Sequence, residues 1–94
     1  MSPLVLVVDD ERKIRELVRS YLERAGIDVV TTGSGAEALE LAGRARPDLV
    51  VLDRGLPDVP GDEVARELRR VGDLPILMLT ALACEADRVE GLEL

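Results

Sequence analysis

Short apolar runs alternate with amphipathic stretches along this chain. The runs predicted to be strands are residues 4 to 9, 27 to 31, 49 to 53 and 75 to 80. They are apolar at successive positions instead of every second one, which is typical of strands buried on both faces of a sheet. Between them, apolar residues recur at the spacing of a helix. This alternation predicts the α/β class, with a doubly wound parallel sheet.

The predicted helices have recognisable ends. We expect the first helix to stop at Gly26, a residue type that is common at helix C-termini. The second begins at Ser34, which forms a capping box with Glu37 three residues later. A third helix is predicted over residues 62 to 71 and a short fourth over about 84 to 92. The apolar faces of the first and third helices are predicted to comprise Ile14, Leu17, Val18, Tyr21, Leu22, Val64, Ala65 and Leu68.

Three carboxylates are predicted to meet at one edge of this sheet. The first strand ends in Asp9 and Asp10, and the third ends in Asp53. Thr80 ends the fourth strand and reaches the same edge. In a doubly wound sheet the carboxyl ends of the strands border a crevice where ligands bind. Because like charges repel at close range, a fold that gathers three carboxylates indicates a site for a hard cation such as Mg²⁺.

Each of these residues also has an ordinary structural interpretation. Asp9 or Asp10 alone would more often cap a helix, and Asp53 alone can simply end a strand. Thr80 alone fits as a β-branched strand residue. The order of these residues on successive parallel strands favours a shared site over four separate structural roles.

Composition and charge narrow the class of protein. The 94 residues suit one domain with a modest core, and the net charge of −7 argues against a nucleic-acid-binding surface. The single cysteine, Cys84, cannot form an internal disulfide. No apolar stretch approaches the roughly 18 to 20 residues of a membrane span, and the N-terminus lacks a signal-peptide pattern. We therefore expect a cytoplasmic domain that binds neither nucleic acid nor membrane directly.

Three segments resemble the receiver domain of two-component response regulators. They are LVLVVDDE, DLVVLDRGLPDVPGDE and PILMLTA, and the resemblance runs through all 94 residues. It implies a flavodoxin-like fold with strand order 2-1-3-4, in which the family's fifth strand is missing from this chain. The resemblance thus implies one receiver domain over residues 1 to 94 that is incomplete at its C-terminal side.

The same resemblance implies roles for individual residues. Asp53 would accept a phosphoryl group, Thr80 would contact that group and act as a switch, and Ala81 would leave access for the phosphodonor. Such a domain is a phosphoacceptor switch and not an enzyme with turnover, apart from its own phosphotransfer and autodephosphorylation. The implied ligands of Mg²⁺ or Mn²⁺ are Asp9, Asp10, Asp53 and the backbone carbonyl of Gly55.

Partners also follow from the resemblance. A sensor histidine kinase would supply the phosphoryl group, and a DNA-binding output domain outside this chain would control transcription. Separately from the resemblance, an apolar fourth strand without a fifth beside it would be an unprotected edge, so we also expect a homodimer or a segment swap. The family's fifth-strand lysine has no counterpart, because the only lysine is Lys13 on the first helix. The resemblance therefore leaves the phosphoryl-contacting set incomplete in this chain.

Three functions remain open at this point. The first is a phosphoacceptor signalling domain, and the second is a truncated receiver-like fragment that acts only through protein contacts. The third is a Mg²⁺-dependent phosphohydrolase of the haloacid-dehalogenase type, which also uses an aspartate at a strand end. In that family another aspartate lies two residues after the nucleophile, whereas Gly55 lies two residues after Asp53 in this chain. This difference disfavours the third function.

Overall fold

The computed structural model describes residues 2–53 and 55–78 of the chain. Strands and helices alternate over this range, as the apolar pattern predicts. The predictions for Thr80, Ala81 and the fourth helix lie outside the described residues. The described elements are β1 (Leu4–Val8), α1 (Arg12–Arg24), β2 (Asp28–Thr32), α2 (Gly35–Ala45), β3 (Leu49–Leu52), α3 (Gly61–Val71) and β4 (Ile76–Met78).

The described strands form one parallel sheet in the order β2-β1-β3-β4. This order confirms the predicted 2-1-3-4 arrangement. Val8 at the end of β1 pairs with Thr32 of β2 on one side and with Leu52 of β3 on the other. These three strands therefore end at the same level, and the loops that follow β1 and β3 leave the sheet side by side.

Helices cover both faces of the sheet. On one face, α2 and α3 pack over Leu6, Val8, Val50 and Leu52, which are buried. On the other face, Val5, Val7 and Val51 form what we call the α1-side cluster. Burying each such side chain contributes about 1.5 to 3 kcal/mol, so the strands that carry the acidic residues are firmly held. The predicted inward residues of α3 are confirmed as buried: Val64, Ala65 and Leu68.

The apolar face of α1 is narrower than predicted. Val18 and Leu22 pack against the α1-side cluster, but Leu17 is 54% exposed and Tyr21 is 64% exposed. Successive helical residues point about 100° apart, so the side chains of Leu17 and Tyr21 turn away from the stripe that faces the sheet. The prediction that Leu17 and Tyr21 are core residues is wrong within the described part of the chain.

The predicted helix boundaries at Gly26 and Ser34 are confirmed. Gly26 follows α1 with a φ of 83°, which favours glycine because it has no Cβ. Ser34 caps α2, and its hydroxyl oxygen accepts a hydrogen bond from the Glu37 N–H at 3.1 Å. The Glu37 carboxylate instead accepts a hydrogen bond from the Thr32 hydroxyl. The Ser34 N–H donates to that hydroxyl oxygen at 3.1 Å, so Thr32 joins the end of β2 to the start of α2.

Candidate functional site

Three aspartates lie together at the carboxyl ends of β1 and β3. One carboxylate oxygen from each of Asp9, Asp10 and Asp53 lies within 4.8 Å of the other two. Asp9 is buried, Asp53 is half-buried and Asp10 is exposed. The structure thus brings together the three carboxylates that the sequence pattern places at one edge of the sheet.

Asp9 is held through its backbone and its side chain. Its N–H donates to the Thr32 carbonyl at 3.0 Å, which extends the pairing of β1 with β2 by one residue. Its carbonyl accepts from the Arg15 guanidinium at 2.7 Å. Its carboxylate accepts from the Glu11 N–H at 2.8 Å. These contacts fix the position of Asp9 before any ligand binds.

The environment of Asp9 opposes its negative charge. The pKa of the Asp9 carboxyl is raised to about 6, chiefly because burial disfavours the charged form. The negative charges of Asp53 and Asp10 raise the pKa further, while the hydrogen bond from the Glu11 N–H lowers it. A cation placed among these carboxylates would reverse the effect of the two neighbouring charges. A cation bound among these carboxylates would therefore compete with protons for Asp9.

Asp53 combines a fixed backbone with an accessible side chain. Its N–H donates to the Val8 carbonyl at 2.8 Å, so Asp53 continues the pairing of β3 with β1. One carboxylate oxygen accepts from the Gly55 N–H at 3.0 Å. A half-buried carboxylate on a rigid strand end can be reached by a reactant and is still held in place. This combination suits a nucleophile.

The other predicted site residues are only partly covered by the structure. Gly55 is exposed, and its N–H bonds the Asp53 carboxylate as just described. The metal-binding role of its carbonyl stays a prediction. Thr80 and Ala81 lie beyond residue 78, outside the described ranges.

Arg15 contacts the site, and the apolar spacing of the first helix does not predict this contact. It is half-buried, and its guanidinium bonds the Asp9 carbonyl. A Cβ at Gly33 would lie 2.8 Å from the Arg15 Nη1 atom, so a glycine at this position leaves room for the guanidinium. The one signal in the sequence is this glycine directly after β2, since such a glycine often marks a close approach.

The set of ligand atoms suits a hard divalent cation. All three groups are carboxylates, and oxygen ligands are those that Mg²⁺ and Mn²⁺ prefer. The chain contains no histidine, the residue that most transition-metal sites use. Three negative charges within this distance repel one another, and a bound cation offsets that repulsion. The acidic pocket can therefore hold a metal ion.

The sequence of this chain is similar to the sequences of known response regulators. The family model for the response regulator receiver domain matches residues 5–94. The alkaline phosphatase synthesis transcriptional regulatory protein PhoP of Bacillus subtilis is 50% identical, over 100% of this chain and 40% of its own length. The probable transcriptional regulator ycf27 of Porphyridium aerugineum is 47% identical, over 96% of this chain and 38% of its own length. The chain thus spans about 40% of the length of these curated relatives.

Solved structures show the same architecture. The receiver domain of the Francisella response regulator 1452 superposes with a TM-score of 0.81 at 33% identity, covering 98% of this chain and 77% of that chain. The chemotaxis response regulator CheY4 of Vibrio cholerae superposes with a TM-score of 0.79 at 37% identity, covering 83% of this chain and 68% of that chain. These similarities confirm the predicted flavodoxin-like fold.

Proposed function

This chain belongs to the response regulator receiver domain family, and we propose that it accepts a phosphoryl group on Asp53 with the help of a divalent cation. Receiver domains are generally phosphoacceptor switches and not classical enzymes. The observation that supports the proposal most is the meeting of Asp9, Asp10 and Asp53 at the ends of two adjacent parallel strands. An isolated aspartate at a strand end would support no such function.

In the proposed reaction Asp53 is the nucleophile. One of its carboxylate oxygens attacks the phosphorus of a phosphohistidine on a sensor histidine kinase. The new O–P bond forms an acyl phosphate, while the N–P bond breaks and its electron pair leaves with the imidazole. The backbone bond to Val8 and the side-chain bond to Gly55 hold Asp53 in place for this attack. Little reorientation of Asp53 is then needed.

Asp9, Asp10 and Asp53 would hold the cation, which we propose to be Mg²⁺ or Mn²⁺. When bound, the ion offsets the negative charge that accumulates between the carboxylate and the phosphoryl oxygens. The Gly55 carbonyl is proposed as a further ligand. Arg15 and Glu11 contribute by fixing Asp9, so that its carboxylate faces Asp53. The residues that hold the ion are thus arranged by contacts within the protein.

Two further residues of the proposed switch lie outside the described residues. Thr80 would contact the phosphoryl group and Ala81 would leave space for the phosphodonor. A DNA-binding output domain outside this chain would respond, because both relatives are named as regulators of transcription. We propose a cytoplasmic location from the family. Among the helices described between residues 12 and 71, none is long and apolar enough to cross a membrane.

Adduct mapping tests the phosphoacceptor role. The chain is incubated with acetyl phosphate and Mg²⁺, and the acyl phosphate is reduced with borohydride and located by mass spectrometry. We expect modification of Asp53 alone, its loss in Asp53→Asn, and its retention in Asp62→Asn, which changes an exposed aspartate on α3. Modification at another residue would contradict the assignment.

Two further outcomes separate the alternatives. Mg²⁺ binding without any adduct would contradict phosphoacceptance and favour a fragment that acts through protein contacts. Release of inorganic phosphate over many turnovers without accumulation of the Asp53 adduct would contradict a switch and favour a phosphohydrolase, whereas slow release that follows decay of an accumulated adduct is the autodephosphorylation expected of a switch. Measurement of adduct and phosphate in the same reaction therefore decides between the three functions.

A further inference from the structure

Asp58 connects the loop after β3 to a helix that is distant in sequence. One of its carboxylate oxygens accepts from the Gly35 N–H at 2.9 Å. The other accepts from the Ser34 hydroxyl at 2.8 Å and from the Ala36 N–H at 3.1 Å. All three donors belong to the cap and first turn of α2, more than 20 residues earlier in the chain. The contact is therefore tertiary and not a local turn.

Hydrogen-bond donors at the start of α2 stabilise the charged form of Asp58 beyond what solvent alone does. The first N–H groups of a helix have no partner within the helix, and the helix dipole favours negative charge there. Hydrogen bonds from the Gly35 and Ala36 N–H groups and from the Ser34 hydroxyl hold the pKa of the Asp58 carboxyl well below its usual range. The carboxylate therefore stays charged, and keeps these bonds, at lower pH than an ordinary aspartate.

Close packing beside Asp58 reinforces the same connection. A Cβ at Gly35 would lie 3.0 Å from the Val59 Cβ, 3.0 Å from the Val64 Cγ2 and 3.2 Å from the Val59 carbonyl oxygen. The loop backbone can approach α2 this closely because residue 35 is glycine. Leu56, earlier in the loop, is buried in the core. Residues 56 to 59 are therefore anchored both in the core and on α2.

The anchored residues directly follow Gly55, which contacts the acidic site. Gly55 lies three residues before Asp58, and its N–H bonds the Asp53 carboxylate. The turn that receives Asp58 begins at Thr32, whose carbonyl accepts the Asp9 N–H. The same β2–α2 turn, residues 32 to 36, thus contacts both the Asp9 strand end and the loop that follows Asp53.

We propose that Asp58 is a positioning residue for the cation site. Its carboxylate ties the loop of residues 55 to 60 to the first turn of α2 and thereby sets where Gly55 lies relative to Asp53 and Asp9. Asp58 is neither a cation ligand nor the phosphoryl acceptor. This inference rests on the proposed function, because it assigns Asp58 a role in assembling the same site.

Mg²⁺ titration of Asp58 variants tests the proposal. Binding is measured by calorimetry on the unmutated chain and on Asp58→Ala, Asp58→Asn, Ser34→Ala and the control Asp62→Asn. We expect the Mg²⁺ dissociation constant of Asp58→Ala to rise by about tenfold, as is typical when a residue that orients a metal ligand is lost. Asp58→Asn keeps one acceptor oxygen and should show a smaller rise. Asp62→Asn should leave Mg²⁺ affinity unchanged.

A second readout separates positioning from stability alone. The Mg²⁺ concentration that gives half-maximal phosphorylation by acetyl phosphate should rise in Asp58→Ala by about the same factor as the Mg²⁺ dissociation constant, whereas partial unfolding would lower the maximal rate without shifting this concentration. An Asp58→Ala chain that melts cooperatively and binds Mg²⁺ with unchanged affinity would overturn the proposal. If Asp58→Ala does not fold, unchanged affinity in both Asp58→Asn and Ser34→Ala would overturn it equally.

Measurements on the unmutated chain show whether a negative result contradicts only the positioning role of Asp58 or the proposed function as a whole. Absence of Mg²⁺ binding and of an Asp53 adduct in the unmutated chain would contradict the proposed function itself. Normal binding and adduct formation that are indifferent to every Asp58 and Ser34 variant would contradict only the positioning role. Ser34→Ala should add nothing to the loss of Mg²⁺ affinity caused by Asp58→Ala, because the Ser34 hydroxyl is proposed to affect the cation site through the Asp58 carboxylate.

Discussion

Asp9 and Asp58 lie on loops at the same edge of the sheet, but the pKa values of their carboxyl groups move in opposite directions. Asp9 is buried, faces two other carboxylates and has a pKa raised to about 6. Asp58 is exposed, accepts hydrogen bonds from three donors at the start of α2 and has a lowered pKa. The residue type is the same, and only the surroundings differ.

The difference distinguishes a structural carboxylate from a binding one. The protein itself compensates the charge of Asp58 with N–H and hydroxyl donors. At Asp9 the Glu11 N–H stabilises the negative charge, but burial and the charges of Asp10 and Asp53 oppose it more strongly. A carboxylate whose charge the fold opposes is a good candidate for an external cation. We therefore interpret Asp58 as part of the scaffold and Asp9 as part of the site.

The largest expected effect comes from neutralising Asp9. Asp9→Asn should stabilise the cation-free chain by about 2 kcal/mol at pH 8, less than the full free-energy equivalent of the raised pKa because solvent screens part of the charge. The folded-state pKa lies above the unfolded value, so ionisation of Asp9 costs stability as the pH rises from about 4 through 6. The gain should vanish below pH 4, where the carboxyl is protonated in both states. Urea unfolding across this pH range measures it.

Mg²⁺ supplies the control for this prediction. Saturating Mg²⁺ should raise the unfolding free energy of the unmutated chain and should do so far less for Asp9→Asn, which lacks one of the proposed anionic ligands. A variant that is less stable than the unmutated chain at pH 8 without Mg²⁺ would contradict the claim that the fold opposes the Asp9 charge.

An intermediate effect should follow from crowding the contact beside Asp58. Gly35→Ala places a methyl group against Val59 and Val64, and we expect a loss of about 1 to 2 kcal/mol in unfolding free energy. The matched control is Gly43→Ala in the same helix, where a Cβ would meet nothing within 4 Å. That change should stabilise by about 0.5 to 1 kcal/mol, because alanine favours the helix.

Opposite signs at Gly35 and Gly43 are the diagnostic result, and both are measured by urea unfolding at pH 7. Stabilisation by both changes would show that the loop yields easily to α2. In that case the close approach of the β3–α3 loop would not hold the loop in place.

The smallest expected effect is the pH dependence of the stability change caused by Asp58→Asn. The folded-state pKa of Asp58 lies below the unfolded value, so its contribution to stability is present above pH 4 and is lost as the pH falls. The loss of stability caused by Asp58→Asn should therefore shrink between about pH 5 and pH 2. This is the reverse of the Asp9→Asn dependence, and a parallel pH trend for the two variants would contradict the comparison. Solvent exposure keeps the effect modest.

The acidic site could be predicted from the sequence because few local signals were needed. Two buried apolar runs end in aspartates, and the topology of parallel sheets brings such ends together. The residues that hold the site were not predictable in the same way. The bond from Asp58 to the start of α2 spans more than 20 residues, and no periodicity within the loop indicates it. Arg15 carried only the weak signal of Gly33 after β2.

The error on α1 has a related cause. Helical periodicity identifies apolar positions, but it does not reveal how wide a stripe the rest of the protein covers. Leu17 and Tyr21 satisfy the periodicity as well as Val18 and Leu22, and only the placement of α1 on the sheet separates the two pairs. Burial is therefore decided by tertiary packing, which a single helix does not encode.

The most direct test of the comparison is an NMR titration of aspartate carboxyl carbons, assigned with Asp9→Asn and Asp58→Asn. Without divalent cations, Asp9 should titrate near pH 6 and Asp58 should remain ionised well below the ordinary aspartate pKa of 3.8. Saturating Mg²⁺ should move the Asp9 titration to lower pH and leave Asp58 unchanged. An Asp9 carboxyl that titrates near pH 3.8, or one that is indifferent to Mg²⁺, would contradict the assignment of Asp9 to a cation site.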